Sequence, residues 1–167
     1  MAPLEILEFP DPRLRSIASP VKNVNSKIVT LADRMLAAMY EAPGIGLAAT
    51  QVNFHQRLIV IDVSDQKNKP LILINPVITE KEGEIETDEG CLSVPGFFEP
   101  IQRFDYIQFN AINREGEAFS MEATGILSVC IQHEMDHLEG KLFVDYLSTT
   151  KRQSIRRKLQ KMQKQQI

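Results

Sequence analysis

Apolar residues recur along this chain at two different periods. Between positions 26 and 42, Ile28, Leu31, Met35, Leu36 and Met39 fall on one stripe at spacings of three and four. That spacing predicts an amphipathic helix, with Asn25 or Ser26 as its cap. Pro43-Gly44 ends it, because proline cannot continue the ladder. Leu58–Ile61 and Leu71–Ile74 are unbroken β-branched and apolar runs, as buried strands are. Tyr106–Ile112, the turn residues Asn113-Arg114-Glu115-Gly116 and then Ala118–Met121 read as a hairpin. Thr124 can cap a second helix from about Gly125 to Leu138, closed by Gly140. A third helix is expected from Lys151, with Ile155, Leu159 and Met162 at i, i+4 and i+7.

Strands outnumber helices and do not alternate with them, which points to an α+β fold rather than a doubly wound parallel sheet. There is no internal repeat and no linker rich in Gly, Ser or Pro. The expected organisation is one catalytic domain over 1–150, with 151–167 as a basic helical extension of it.

Charge sharpens that division. Seven of the 19 Lys and Arg residues lie from Lys151 onward, with no acid among them; residues 1–150 keep 12 against 22 acids, a net −10. An acidic body with a basic tail implies different partners at its two ends. No run reaches the ~18 apolar residues of a membrane span, and the start lacks the basic and apolar regions of a secretory signal. Two cysteines, Cys91 and Cys130, are too few for a disulfide scaffold. The cytoplasm is the compartment these features suggest, with no membrane partner.

The chemistry concentrates in His133-Glu134-Met135-Asp136-His137. On a helix the two histidines sit about 40° apart and one turn along, so both rings can reach one ion. Glu134 projects beside them, where a carboxylate can take a proton from water and return it to a leaving group. A metal site needs a third ligand. His55 lies in a polar stretch and reads as a surface histidine. Cys91, in the loop-like Glu89-Gly90-Cys91-Leu92-Ser93, could complete a Cys-His-His set. Cys130, inside Val129-Cys130-Ile131, reads as a small buried hydrophobe.

Three segments together, Gly44-Ile45-Gly46-Leu47-Ala48-Ala49-Thr50-Gln51, Glu89-Gly90-Cys91-Leu92-Ser93 and Gln132-His133-Glu134-Met135-Asp136-His137-Leu138, resemble the signature motifs of the peptide deformylases. It looks most like the bacterial type with a long C-terminal helix. The resemblance implies mostly antiparallel sheets around a central helix bearing the HExxH motif, with further helices near the N- and C-termini. It implies removal of the formyl group from the N-terminal formylmethionine of nascent chains, releasing formate, by a protein expected to be a monomer.

It further implies one divalent metal on Cys91, His133 and His137, ferrous iron being expected, with zinc, nickel or cobalt in some preparations. Glu134 is the implied acid/base; the Gln51 amide and the backbone N–H of Leu92 are the implied oxyanion donors. Gly46 and Ile45, with Val129 and Cys130 a turn before His133, are candidates for substrate binding, though ordinary core packing explains the last two equally well. Glu89 and Arg103 are candidates to brace the Cys91 segment, and Asp136 to orient a ligand. Phe98 stands where some relatives carry an arginine, which implies a more apolar pocket rim. The basic tail suggests a tether to the phosphate-rich ribosome. Rival readings are a zincin-type peptidase and a ribosome-binding protein with a structural metal.

Overall fold

The computed structural model describes residues 3–166. Its elements are α1 (Ser26–Glu41), β1 (Gly46–Ala48), β2 (Leu58–Ile61), β3 (Leu71–Glu82), β4 (Ile85–Cys91), β5 (Val94–Arg103), β6 (Tyr106–Ile112), β7 (Ala118–Thr124), α2 (Gly125–Leu138) and α3 (Thr149–Gln165). Short 3-10 turns occupy Pro12–Arg15, Ala49–Val52 and Phe143–Tyr146. All strand pairings are antiparallel, in a five-stranded sheet ordered β1-β2-β3-β6-β7 and a separate β4-β5 hairpin. This is the α+β class the pattern predicts.

The five-stranded sheet has helices on both faces. Side chains alternate along a strand, and β2 shows the consequence. Leu58 and Val60 pack with Ile28, Leu31, Met35 and Met39 of α1, whereas Ile59 and Ile61 pack with Cys130, Ile131 and Leu138 of α2. Every residue of β2 is therefore buried. An unbroken apolar run is what a strand covered on both sides requires.

Asn25 caps α1, its side chain accepting from the Ile28 N–H at 3.1 Å. Thr124 precedes α2 as expected, but its side chain makes no capping bond. The last helix starts at Thr149, two residues before the predicted start, capped by Ser148. Ile155 and Leu159 are buried, while Met162, third on the predicted stripe, is 41% exposed.

Two strands differ from expectation. β3 extends eight residues beyond the predicted run, turning at Asn75, whose φ of 51° disturbs the register with β6. The Asn75 amide offsets this by exchanging two 2.9 Å hydrogen bonds with the backbone of Val21. The β4-β5 hairpin was not predicted, and Cys91 closes β4 rather than lying in a loop.

A third apolar cluster joins this hairpin to the rest: Val94 and Ile101 meet Leu7, Phe9, Phe143, Ile155 and Leu159. The N-terminal segment stitches the parts together. Leu7 donates to Gln51, Phe9 to Ser93 and Ala18 to Leu138, all through backbone bonds of 2.7–2.8 Å. At the end of α2, Gly140 adopts φ +75°, and a Cβ there would lie 2.5 Å from the Arg15 carbonyl oxygen, so only glycine fits. Among the described residues no helix is long and apolar enough to cross a membrane.

Candidate metal centre

Helix α2 carries His133 and His137 one turn apart, and the end of β4 brings Cys91 to them. His137 Nε2 lies 3.3 Å from His133 Nε2 and 3.4 Å from Cys91 Sγ. All three donor atoms fall within 4.8 Å of one another. A tetrahedral ion with ordinary metal–nitrogen and metal–sulfur bonds spaces such donors at about 3.4 Å (N to N) and about 3.6 Å (N to S). The geometry fits one divalent cation.

Protonation agrees with that fit. A carboxylate only accepts, so the 2.8 Å contact between His133 Nδ1 and Glu89 Oε1 places the ring proton on Nδ1 and leaves the Nε2 lone pair facing Cys91 and His137. Burial, with His133 alongside, holds His137 well below its ordinary pKa, which favours a neutral ligand. Burial opposes charge on His133, yet Glu134, Cys91 and Glu89 push its pKa well up. This cluster of negative groups calls for a positive charge, which either a proton or a cation can supply.

Behind His133 lies a buried ion network. Glu89 accepts from Arg103 Nε at 2.6 Å and from Nη2 at 2.8 Å, while Arg103 Nη1 reaches Asp136 at 2.7 Å. Burial pushes the Glu89 carboxyl up, but its bonds from Arg103 and His133 outweigh that and hold it at about 2.

Glu134 stands beside the donor cluster, with Oε2 4.0 Å from His133 Nε2. Its other oxygen is buried and has no hydrogen-bond partner among the described residues. Burial, reinforced by Glu89 and opposed by His133, raises its pKa to about 7. A Cβ on Gly46 would sit 2.5 Å from that carboxylate, so glycine there makes room for Glu134. Gln51 is fixed by the Ala48 N–H at Oε1 (2.8 Å) and by Ser93 Oγ at Nε2 (3.0 Å), with Nε2 3.6 Å from the Cys91 sulfur.

Cys91, His133 and Glu134 line a cleft of 560 Å³ together with Ile45, Gly46, Leu92 and Phe98, while Gln51 and His137 are buried behind its wall. Phe98 is 69% exposed, an apolar side chain at the cleft. Val129 and Cys130 are buried on α2 and do not line the cleft directly. Burial pushes the Cys130 thiol pKa well up, as suits a small core residue. His55 is absent from the donor cluster, its ring bonded to Asn53 at 3.0 Å.

Residues 3–153 match the model of the polypeptide deformylase family. Peptide deformylases of Hamiltonella defensa subsp. Acyrthosiphon pisum and Cellvibrio japonicus are 60% and 57% identical to this chain, over 98% of it and over 96% and 98% of their own lengths. The chain belongs to the peptide deformylase family.

Among solved structures, the peptide deformylase from Legionella pneumophila has a TM-score of 0.94 at 44% identity, covering 99% of this chain and 98% of that one. A peptide deformylase from Ehrlichia chaffeensis in complex with actinonin has a TM-score of 0.93 at 37% identity, covering 97% and 98%. This deformylase is a metallohydrolase that removes the N-formyl group from nascent proteins. A purely structural metal is disfavoured, since only three donors converge among the described residues and such sites are usually closed by four.

Sequence reasoning missed Ser93, which holds Gln51, and Tyr146, which bonds Asp136. A lone hydroxyl has no periodic signature to reveal it.

Replacing Arg103 by methionine leaves two carboxylates without their cation. The expected cost is about 3–5 kcal/mol in urea unfolding at pH 7 and matched metal content; a loss below about 1 kcal/mol would refute the role of the clamp. Because Glu89 is held at about 2 against an ordinary 4.5, its contribution is present above pH 4.5 and drains as pH falls toward 2. The gap between wild type and variant should accordingly narrow in acid.

Proposed function

We propose that Cys91, His133 and His137 hold one divalent ion, Fe(II) natively, and that Glu134, Gln51 and the Leu92 N–H perform deformylation around it. The observation that carries this reading is the convergence of three donor atoms beside a buried carboxylate at the wall of an open cleft. A cation there supplies Lewis acidity and lowers the pKa of water toward neutrality.

Glu134, raised to about 7, is matched to moving a proton near neutral pH. It takes one proton as water adds to the formyl carbon and gives one to the amine nitrogen as the C–N bond breaks, so formate and a free N-terminus leave. Gln51 is pre-oriented by Ala48 and Ser93, which keeps an N–H near Cys91 to meet the developing oxyanion. Leu92 lies in the turn between β4 and β5 and offers its N–H from the adjacent cleft wall. β1 is a terminal strand of its sheet, so an extended N-formylmethionyl peptide can align along it, with Gly46 admitting close approach. Ile45 meets the methionine side chain, and Val129 and Cys130 shape that pocket from behind.

Glu134→Gln should retain the metal yet release formate from formyl-Met-Ala-Ser at least ~10²-fold more slowly. Activity near that of the wild type would end the proton-shuttle assignment.

A thiolate and two imidazoles suit Fe(II), and equally zinc, nickel or cobalt. Iron beside a thiolate is open to oxidation. The Fe(II)-loaded enzyme should therefore lose activity in air faster than the Ni(II)-loaded one; equal rates would count against iron.

We place the reaction in the cytoplasm, on a monomer whose residues 1–150 form the catalytic domain and 151–167 its extension. Arg156, Arg157, Lys158, Lys161 and Lys164 form an exposed cationic face on α3, suited to the ribosome's phosphates. Ile155 and Leu159 of the same helix are core, so truncation would damage the fold. Changing Arg156, Arg157, Lys161 and Lys164 to Gln should abolish low-salt ribosome cosedimentation and spare small-peptide turnover; undiminished cosedimentation would remove the tether.

A further inference from the structure

The ion network behind His133 does not stop at Arg103. Asp136 Oδ2 accepts from Arg103 Nη1 at 2.7 Å and from the Tyr146 hydroxyl at 2.7 Å. The same guanidinium lies over the Tyr146 ring, 5.0 Å from its centroid. Tyr146 therefore holds Arg103 twice, through a shared carboxylate and through its π-face. Burial and the bond to Asp136 push the phenol up to about 12, so it stays a donor at working pH. The side chain is 51% exposed and lines no part of the cleft. Neither core packing nor substrate contact accounts for it.

We propose that Tyr146 is a positioning residue for the metal centre, fixing Asp136 and Arg103 and, through Glu89, the orientation of the His133 imidazole. The contacts form a closed circuit. It leaves α2 at Asp136, crosses Arg103 to Glu89 on β4, and returns to α2 at His133 three residues earlier. The imidazole is thereby locked against its own helix. Asp136 is the least buried member of this circuit, its side chain 20% exposed against 5% for Arg103 and Glu89. It is the member most able to swing away, and Tyr146 pins it.

Tyr146 is itself held in place. Its neighbour Asp145 is bound by Arg15 at 2.6 and 3.0 Å, and two residues on, Ser148 caps α3. The segment that leads into the C-terminal helix thus also carries the side chain proposed to aim His133.

This inference rests on the reading that Cys91, His133 and His137 hold the cation. Tyr146→Phe tests it, because the ring stays and only the hydroxyl goes. The readouts are the visible absorption of the Co(II)-loaded protein and the rate at which Co(II) passes to a chelator at pH 7. Partners that orient a ligand directly are worth about 10–100-fold in affinity; three hydrogen bonds further out, about three- to tenfold faster loss is expected, with an altered spectrum. KM for formyl-Met-Ala-Ser and the thermal midpoint of the metal-stripped protein should not move. In an Asp136→Asn background the same change should add nothing; if that background fails to fold, the single variant decides.

Tyr106→Phe removes a hydroxyl bonded to Glu122 at 3.1 Å on the surface and serves as the control. Loss at the wild-type rate, loss explained by a lower midpoint of the stripped protein, or full additivity with Asp136→Asn would each overturn the proposal. A wild type that holds no Co(II) would instead overturn the ligand set, and this proposal with it.

Discussion

The guanidinium of Arg103, clamped between Glu89 and Asp136, is the interaction on which the centre depends. Burying a charged pair costs several kcal/mol per ion unless geometry and further hydrogen bonds compensate. Here compensation is nearly complete: Glu89 accepts two bonds from Arg103 and one from His133, and Arg103 engages two carboxylates. Apolar side chains of similar volume could fill this space with comparable stability. They could not accept a hydrogen bond from the Nδ1–H of His133, and that bond leaves Nε2 as the ring nitrogen facing Cys91 and His137. The ion pair is better understood as a device for aiming His133 than as a source of net stability.

The three converging donors arrive from separate parts of the fold. Two come from α2, which packs on the five-stranded sheet, and one from the β4-β5 hairpin, which packs through the third apolar cluster. No local segment holds all three, so the site exists only once the hairpin has docked against α2. A metal held by these donors would draw on tertiary folding and in turn reinforce it. The backbone bonds from Leu7 to Gln51 and from Phe9 to Ser93 join the same two parts. A segment without regular structure thus contributes to the site by holding the hairpin in place.

How much of this the sequence displays depends on the kind of signal. α1, β2 and α2 are legible because their faces meet apolar layers, and apolar layers leave a period. Glu89, Cys91 and Arg103 lie on β4 and β5, whose residues include Pro95, Gly96 and Pro100 and several acids. Local propensity reads such a stretch as loop, and only the pairing of Ile85 with Arg103 through Glu89 with Glu99 makes it sheet. His133 and His137 stand out because helical spacing brings them together. The links from Gln51 to Ser93 and from Asp136 to Tyr146 join different elements. They depend on how those elements pack, which no spacing in one chain encodes.

The run of small residues from Gly44 to Thr50 has a more specific meaning than the sequence suggests. On sequence, Gly46 and Ile45 within it are candidates for substrate binding. The approach seen within the protein is to Glu134, whose Oε2 would lie 2.5 Å from a Cβ at Gly46, with the Cys130 sulfur 2.9 Å away. Any side chain there would displace the carboxylate from the ligand cluster. Its absence lets β1, the buried carboxylate and the donor residues Cys91 and His133 share one cleft. Glycine at position 46 thus leaves the Glu134 carboxylate the space a single methyl group would take, and the proposed substrate strand would need the same space.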